Sequence, residues 1–294
     1  MHINKKSITV VVLCYTLWGL HPIYWNLLIG VNTIFILCCR IIFSLIFTII
    51  LLLISGRMGV LRDILKDKAL MRYLIPAAVL ISFNWGFYIW AINAGHVLDC
   101  SLGYYISPLM AFLLGVIVFR EKYSNLQLAA VVLAAAGLLI SVVTFGSFPY
   151  ISLSLALSFA IYGLLKKKAH TDPVASIATE TLVMSPFMLV VALFFLSDSI
   201  RALNVPDILL LAGGGIVTAL PLILYASSIN NISMVIVGFF QYISPSLLLV
   251  YGIFRGETLS VPQLISFVFI GLGLIVFSVA LIRTAKMNKE LEKI

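Results

Sequence analysis

Gly103-Tyr104-Tyr105-Ile106-Ser107-Pro108 lies inside one long apolar run, and Phe240-Gln241-Tyr242-Ile243-Ser244-Pro245 lies inside another. Tyr-Ile-Ser-Pro is thus repeated at an offset of 137 residues. The echo spreads outward from there. Tyr88 and Asn93 match Tyr225 and Asn230 at the same offset, and Glu121, Gln127 and Gly137 match Glu257, Gln263 and Gly273 one residue short of it. Matches kept in order along such a stretch mark a duplicated half.

The composition says what surrounds the two halves. Of 294 residues, 62% are hydrophobic and 10% charged, and the mean hydropathy is +1.16. A soluble domain carries about 25% charged residues, so this chain is covered by a lipid bilayer. The net charge of +8 falls in short clusters between apolar runs. That pattern orients a membrane protein and does not point to nucleic acid. Cys14, Cys38, Cys39 and Cys100 form no CxxC pair and read as packing residues.

Runs of about 20 apolar residues, the length needed to span a bilayer, occupy 8–28, 33–55, 73–94, 100–119, 125–144, 148–165, 175–196, 206–227, 232–253 and 261–283. The expected fold is all-α with ten transmembrane helices. Five spans per half is an odd number, so residues 146–294 run upside down relative to residues 1–145. Two inverted five-helix repeats are the arrangement by which many secondary transporters obtain two interchangeable gates. Sixteen of the nineteen basic residues fall on one side, which puts both termini in the cytoplasm. On that side the 56–72 linker reads as a short amphipathic helix carrying Leu61, Ile64 and Leu65.

Prolines inside the spans free the carbonyl four residues earlier, and freed backbone at membrane depth is tolerated against protein or a water-filled cavity. Breaks are therefore expected at Pro22, Pro108 and Pro245; Pro186 and Pro221 also fall inside spans, and at Pro186 a plain kink is an equal alternative. Polar and aromatic groups gather around them: Trp18 near Pro22, Tyr104 near Pro108, Gln241 and Tyr242 near Pro245, Asn84 with Tyr88 in the third span, and Tyr162 in the sixth. Such side chains turn to the bundle interior. They would line a mostly neutral cavity suited to small amphipathic solutes. Interhelical packing is the competing role for each of them.

Two charges lie well inside spans, Arg40 in the second and Glu180 in the seventh, which correspond under the repeat. A charge near the bilayer centre costs ~2.5 kcal/mol or more, so each implies a partner or water. They enter from opposite surfaces and are not expected to pair with each other. Arg40 could hold an anionic group or gate the outer side, and Glu180 could carry a coupling proton. Lys166 to Lys168 lie on the cytoplasmic side nearest Glu180. No GxxxxGK[ST], HExxH or GxSxG motif occurs on a suitable element, and the four histidines are scattered. No cofactor or metal site is expected.

Trp18-Gly19, Phe145-Gly146-Ser147-Phe148-Pro149, Ser158-Phe159-Ala160, Tyr162-Gly163-Leu164 with Lys166-Lys167-Lys168, Glu180-Thr181 and Gly215-Ile216-Val217-Thr218 form one set of motifs. With Gly238-Phe239-Phe240-Gln241-Tyr242-Ile243 and Pro245, the set resembles the RarD branch of the EamA family in the drug/metabolite transporter superfamily. The resemblance covers nearly the whole chain. It implies a bacterial inner-membrane permease of ten helices around a central cavity, exporting metabolites or drug-like compounds, and not an enzyme. Two positions depart from the branch: Ser107 replaces a frequent asparagine, and Cys39 a frequent histidine before Arg40. A membrane-embedded enzyme or lipid-handling protein using the same cavity is the alternative. It would need an acid/base pair or nucleophile within hydrogen-bond reach.

Overall fold

A computed structural model describes residues 5–28, 30–94, 96–145, 150–254 and 261–291. The described chain is helical: α1 (Lys5–Trp25), α2 (Thr33–Ile54), α3 (Met58–Lys66), α4 (Lys68–Asn93), α5 (Val97–Phe119), α6 (Asn125–Phe145), α7 (Tyr150–Ala169), α8 (Pro173–Val190), α9 (Ser197–Arg201), α10 (Val205–Asn231), α11 (Met234–Phe240), α12 (Ile243–Phe254) and α13 (Val261–Leu291). The ten apolar runs map onto α1, α2, α4 to α8, α10, the α11–α12 pair and α13. Segments within α1, α2, α4, α8 and α10 are each long and apolar enough to cross a membrane, and apolar portions of α5, α6, α11–α12 and α13 are shorter. The fold is the expected all-α membrane fold. Glu257 and the half boundary at 146–149 lie outside the described residues.

The chain's own caps decide where helices start. Asn32 accepts from the backbone N–H of Ile34 at 2.9 Å and Phe35 at 3.2 Å, and so opens α2. Asp172 accepts from Ala175 ahead of Pro173 at the first turn of α8. Asn204 and Asp207 form a capping box on α10. Each cap satisfies donors that would otherwise be orphaned at a membrane surface. α3 buries Leu61 and Ile64 while Leu65 stays exposed, so its apolar face rests on α4 and α8.

Prolines act unevenly. Pro22 and Pro108 lie inside helices that run through them, as does Pro76 in α4. At both expected sites the structure corrects the reading of a break. A proline loses one hydrogen bond, which neighbouring turns and packing absorb. The ninth span does leave helical geometry, at Gln241–Tyr242, three residues before Pro245. There Gln241 and Tyr242 donate to the carbonyls of Gly238 (3.2 Å) and Phe239 (3.3 Å) in tight three-residue turns.

The packing carries the internal symmetry. α1 packs on α10 as α7 packs on α4, and α5 packs on α7 as α12 packs on α1. The pairs α2–α8, α5–α11 and α6–α13 each join equivalent spans of the two halves. Exchanging the halves thus reproduces the packing. Together with five spans per half, that gives two inverted five-helix repeats. Close crossings occur at small residues: a Cβ on Gly215 would meet the backbone of Phe43 at 2.5–2.6 Å, and one on Gly273 the carbonyl of Ala130 at 2.8 Å. Bulky apolar side chains face outward, among them Phe194 (76%) and Val143 (78%). Such a surface needs lipid to cover it.

Candidate functional site

The repeated segments meet each other at the molecule's centre. Gln241 Nε2 donates to Ser107 Oγ at 2.8 Å, and Tyr242 Oη donates to the carbonyl of Tyr105 at 3.3 Å. The Tyr105 and Tyr242 rings lie 6.4 Å apart. Gln241 and Tyr242, expected as cavity residues, therefore tie α5 to the start of α12. Asn84 does a similar job. Its amide donates to the Leu155 carbonyl and to Ser158 Oγ, both at 2.8 Å, and so binds α4 to α7. Each bond satisfies a buried polar group that lipid could not.

Beside this seam stands an aromatic cluster. Trp18 meets Phe159 edge-on at 5.8 Å, and Tyr15 and Tyr225 close on Trp18 at 5.4 and 5.6 Å. Tyr162 stacks on Tyr225 at 6.0 Å. The Tyr15 hydroxyl is buried and has no partner among the described residues. A buried unpaired hydroxyl is uncommon and invites a solute or water.

Two polar pockets flank the cluster, one in each half. Arg40 and Glu180 are each the eighth residue of their helices, α2 and α8. That places each about 10 Å from its own helix start, and inversion puts those starts at opposite ends of the bundle. In the second half Glu180 accepts from Lys166 Nζ and, at 3.1 Å, from Tyr162 Oη, while Lys166 also reaches Ser176 Oγ. Lys166 and Glu180 are each 3% exposed. The sequence reading left Lys166 in the cytoplasm and Glu180 without an evident partner. The structure corrects both: the last turn of α7 carries Lys166 into the bundle, where it neutralises Glu180.

In the first half Arg40 has no such partner. Its Nε donates to Thr218 Oγ1 on α10 at 3.0 Å. Its guanidinium carbon sits 4.6 Å from the Trp25 ring centroid and 4.5 Å from that of Trp85, so the cation lies over two indoles. Trp25 is itself fixed, with Tyr24 and His21 edge-on at 5.1 and 6.0 Å. The His21 ring contacts the Val217 carbonyl at 2.9 Å. Tyr88 and Tyr104 lie within electrostatic range of Arg40 and meet edge-on at 5.6 Å. Tyr104 keeps 38% of its surface open in that position. Of the expected residues, Tyr88 and Tyr104 touch each other, while Arg40 contacts Trp25, Trp85 and Thr218, which the sequence reading did not single out with it.

One end of the bundle is tied across the halves. Glu121, after α5, accepts from the first backbone donors of α11, Met234 at 2.8 Å and Val235 at 2.9 Å, and pairs with Lys167 at 2.5 Å. Arg57 pairs with Asp172 at 2.6 Å nearby. At the other end Asn26 Nδ2 donates to Tyr251 Oη at 3.0 Å. Among the described residues no group of histidine, cysteine or acidic side chains is placed to hold a metal ion.

The sequence profile of the EamA-like transporter family matches this chain twice, over residues 5–143 and 149–279. An uncharacterized transporter of Vibrio cholerae is 39% identical over 94% of this chain and 92% of its own. The uncharacterized transporter YojE of Bacillus subtilis is 37% identical, covering 97% and 98%. Protein RarD of Escherichia coli is 34% identical, covering 98% of both. A solved crystal structure shares the fold, with a TM-score of 0.72 over 93% of this chain and 97% of that one at 15% identity. The chain belongs to the EamA-like transporter family, within the drug/metabolite transporter superfamily, and is a multi-pass membrane protein.

Proposed function

We propose that this EamA-family chain is a secondary permease that moves small organic solutes, metabolites or drug-like compounds, by alternating access around the aromatic and polar centre of the bundle. Residues 1–145 and 146–294 are the two repeats that rock against each other, in a bacterial inner membrane with both termini cytoplasmic. The observation that carries this reading is the inverted pair of pockets. A charged group stands at the same helix position in each half, about 10 Å from opposite surfaces, and Tyr162, which donates to Glu180, belongs to the aromatic cluster that holds Tyr15 and Trp18. The Glu121–Lys167 and Arg57–Asp172 ties close the cytoplasmic end and must open in the other state. Lys166 and Tyr162 within hydrogen-bond reach of Glu180 meet the minimum that the enzyme reading needs, and it is membership of the EamA-like transporter family that supports transport over it.

Flux through proteoliposomes tests it. Radiolabelled solutes are expected to exchange across the membrane and emerge chemically unchanged; product formation without flux would establish the enzyme reading instead. Coupling is assigned to the Lys166–Glu180 pair, whose proton content changes when water reaches it. Glu180→Gln alone strands the Lys166 ammonium in the bundle, so the Lys166→Gln/Glu180→Gln double variant is the appropriate probe. It is expected to keep solute exchange and lose accumulation driven by an imposed proton gradient. Undiminished gradient-driven accumulation would place coupling elsewhere.

A further inference from the structure

Arg40 occupies in the first half the place that Glu180 occupies in the second, but the two environments differ. The second half supplies its own counter-ion, because Lys166 rises from the end of α7 onto Glu180. In the first half no carboxylate among the described residues reaches Arg40, whose neighbours are the Trp25 and Trp85 indoles. Arg40 is half-buried inside a span; a charge at that depth which no carboxylate compensates is expensive, and proteins keep one where a ligand completes it. The guanidinium is also oriented for that purpose. Its Nε edge is spent on Thr218, and the Trp25 and Trp85 rings lie 4.6 and 4.5 Å from its central carbon. Nη1 and Nη2 have no hydrogen-bond acceptor among the described residues. Two parallel N–H donors at a fixed spacing match the two oxygens of a carboxylate.

We infer that Arg40 is the anion-recognition point of the transport site, and that the solutes carried are organic acids whose carboxylate docks on Nη1 and Nη2. The apolar body of such a solute packs along Trp85, Tyr88 and Tyr104, the last of which is exposed and in edge contact with Tyr88. The inference rests on the transport reading for its biological meaning, though not for its test. The first half lends a cation and the solute brings the anion, so the loaded pocket reproduces the neutral pair already built at Lys166–Glu180.

Phenylacetate and its neutral isostere phenylacetamide separate charge from shape. Both are titrated into purified protein in neutral detergent, read by quenching of tryptophan emission, since Trp25 and Trp85 flank the guanidinium. Phenylacetate is expected to bind at least tenfold more tightly. Arg40→Gln is expected to lose on the order of 10- to 100-fold in phenylacetate affinity, the effect of removing charge-assisted hydrogen bonds, and to leave phenylacetamide unchanged. Arg40→Lys keeps the charge without the fork and is expected to fall between the two. Should Arg40→Gln fail to fold, the wild-type preference and the Arg40→Lys series still decide. Equal binding of acid and amide, an undiminished acid preference in Arg40→Gln, or no saturable binding of phenylacetate overturns the assignment. Saturable binding of short-chain phosphatidylglycerol with none of phenylacetate also overturns it, by making the anion a lipid headgroup. Acid-selective, Arg40-dependent binding without flux in proteoliposomes supports the anion site and sinks the transport reading. Flux of phenylacetamide alone does the reverse.

Discussion

At the residue scale the buried groups make opposite demands. Lys166 and Glu180 compensate each other inside the bundle, so removing one partner leaves a charge that neither lipid nor protein solvates. Lys166→Met or Glu180→Leu alone is expected to cost about 3–5 kcal/mol, while the double replacement is expected to recover most of it. Thermal unfolding of the four proteins in one detergent checks this; additive losses would show that the two residues do not act as a pair. Tyr15 behaves differently, because its hydroxyl has no partner to lose. Tyr15→Phe is expected to leave the protein as stable or slightly more so, since an unsatisfied buried hydroxyl costs about 1–3 kcal/mol. It is also expected to change solute affinity if that hydroxyl faces the transport path. Loss of melting temperature in Tyr15→Phe would reveal a hidden structural partner.

Helix crossings and helix ends set the next level. Gly215 lets α10 approach the backbone of Phe43 on α2, where an added methyl has nowhere to go. Gly215→Ala is expected to destabilise by about 1–3 kcal/mol through overpacking. Gly271→Ala, with nothing within 4 Å, is expected to be neutral or to gain about 0.5–1 kcal/mol from helix propensity. Equal melting temperatures for the two variants would mean that the α2–α10 crossing relaxes freely. At the end of α11, Glu121 serves as a cap contributed by the opposite half. Glu121→Ala is expected to cost about 0.5–2 kcal/mol and to speed hydrogen exchange at Met234 and Val235. Unchanged protection at those amides would show that Ser233, which also caps this helix, suffices.

Over the whole molecule, the orientation rests on the placement of basic residues, and a labelling experiment reads it directly. Lys66 is exposed on the side assigned to the cytoplasm, and Asp198, with 97% of its side chain open, on the opposite side. The natural cysteines are buried and leave a quiet background. In intact cells a membrane-impermeant maleimide is expected to modify Asp198→Cys and spare Lys66→Cys. The reverse pattern would invert the protein and exchange the assignment of its two gates.

The ten spans, their pairing into two halves and the general location of the interior were determined by the sequence alone. Hydrophobic length and repeated motifs are local properties, and a bilayer accepts only segments that satisfy their own backbone. Arg40 and Glu180 also stood out unaided, because charge is rare in a span. Their surroundings did not, since partners in a helical bundle come from distant parts of the chain. Thr218 reaches Arg40 across 178 positions, and Gln241 reaches Ser107 across 134. Whether Asn84, Gln241 and Tyr242 line a cavity or fasten helices depends on rotation about each helix axis, which spacing within one helix leaves open. The last turn of α7 shows the same limit. Lys166, Lys167 and Lys168 read as one cytoplasmic cluster, but successive helical residues point about 100° apart. Tertiary packing sends Lys166 to Glu180, sends Lys167 to Glu121, and leaves Lys168 exposed.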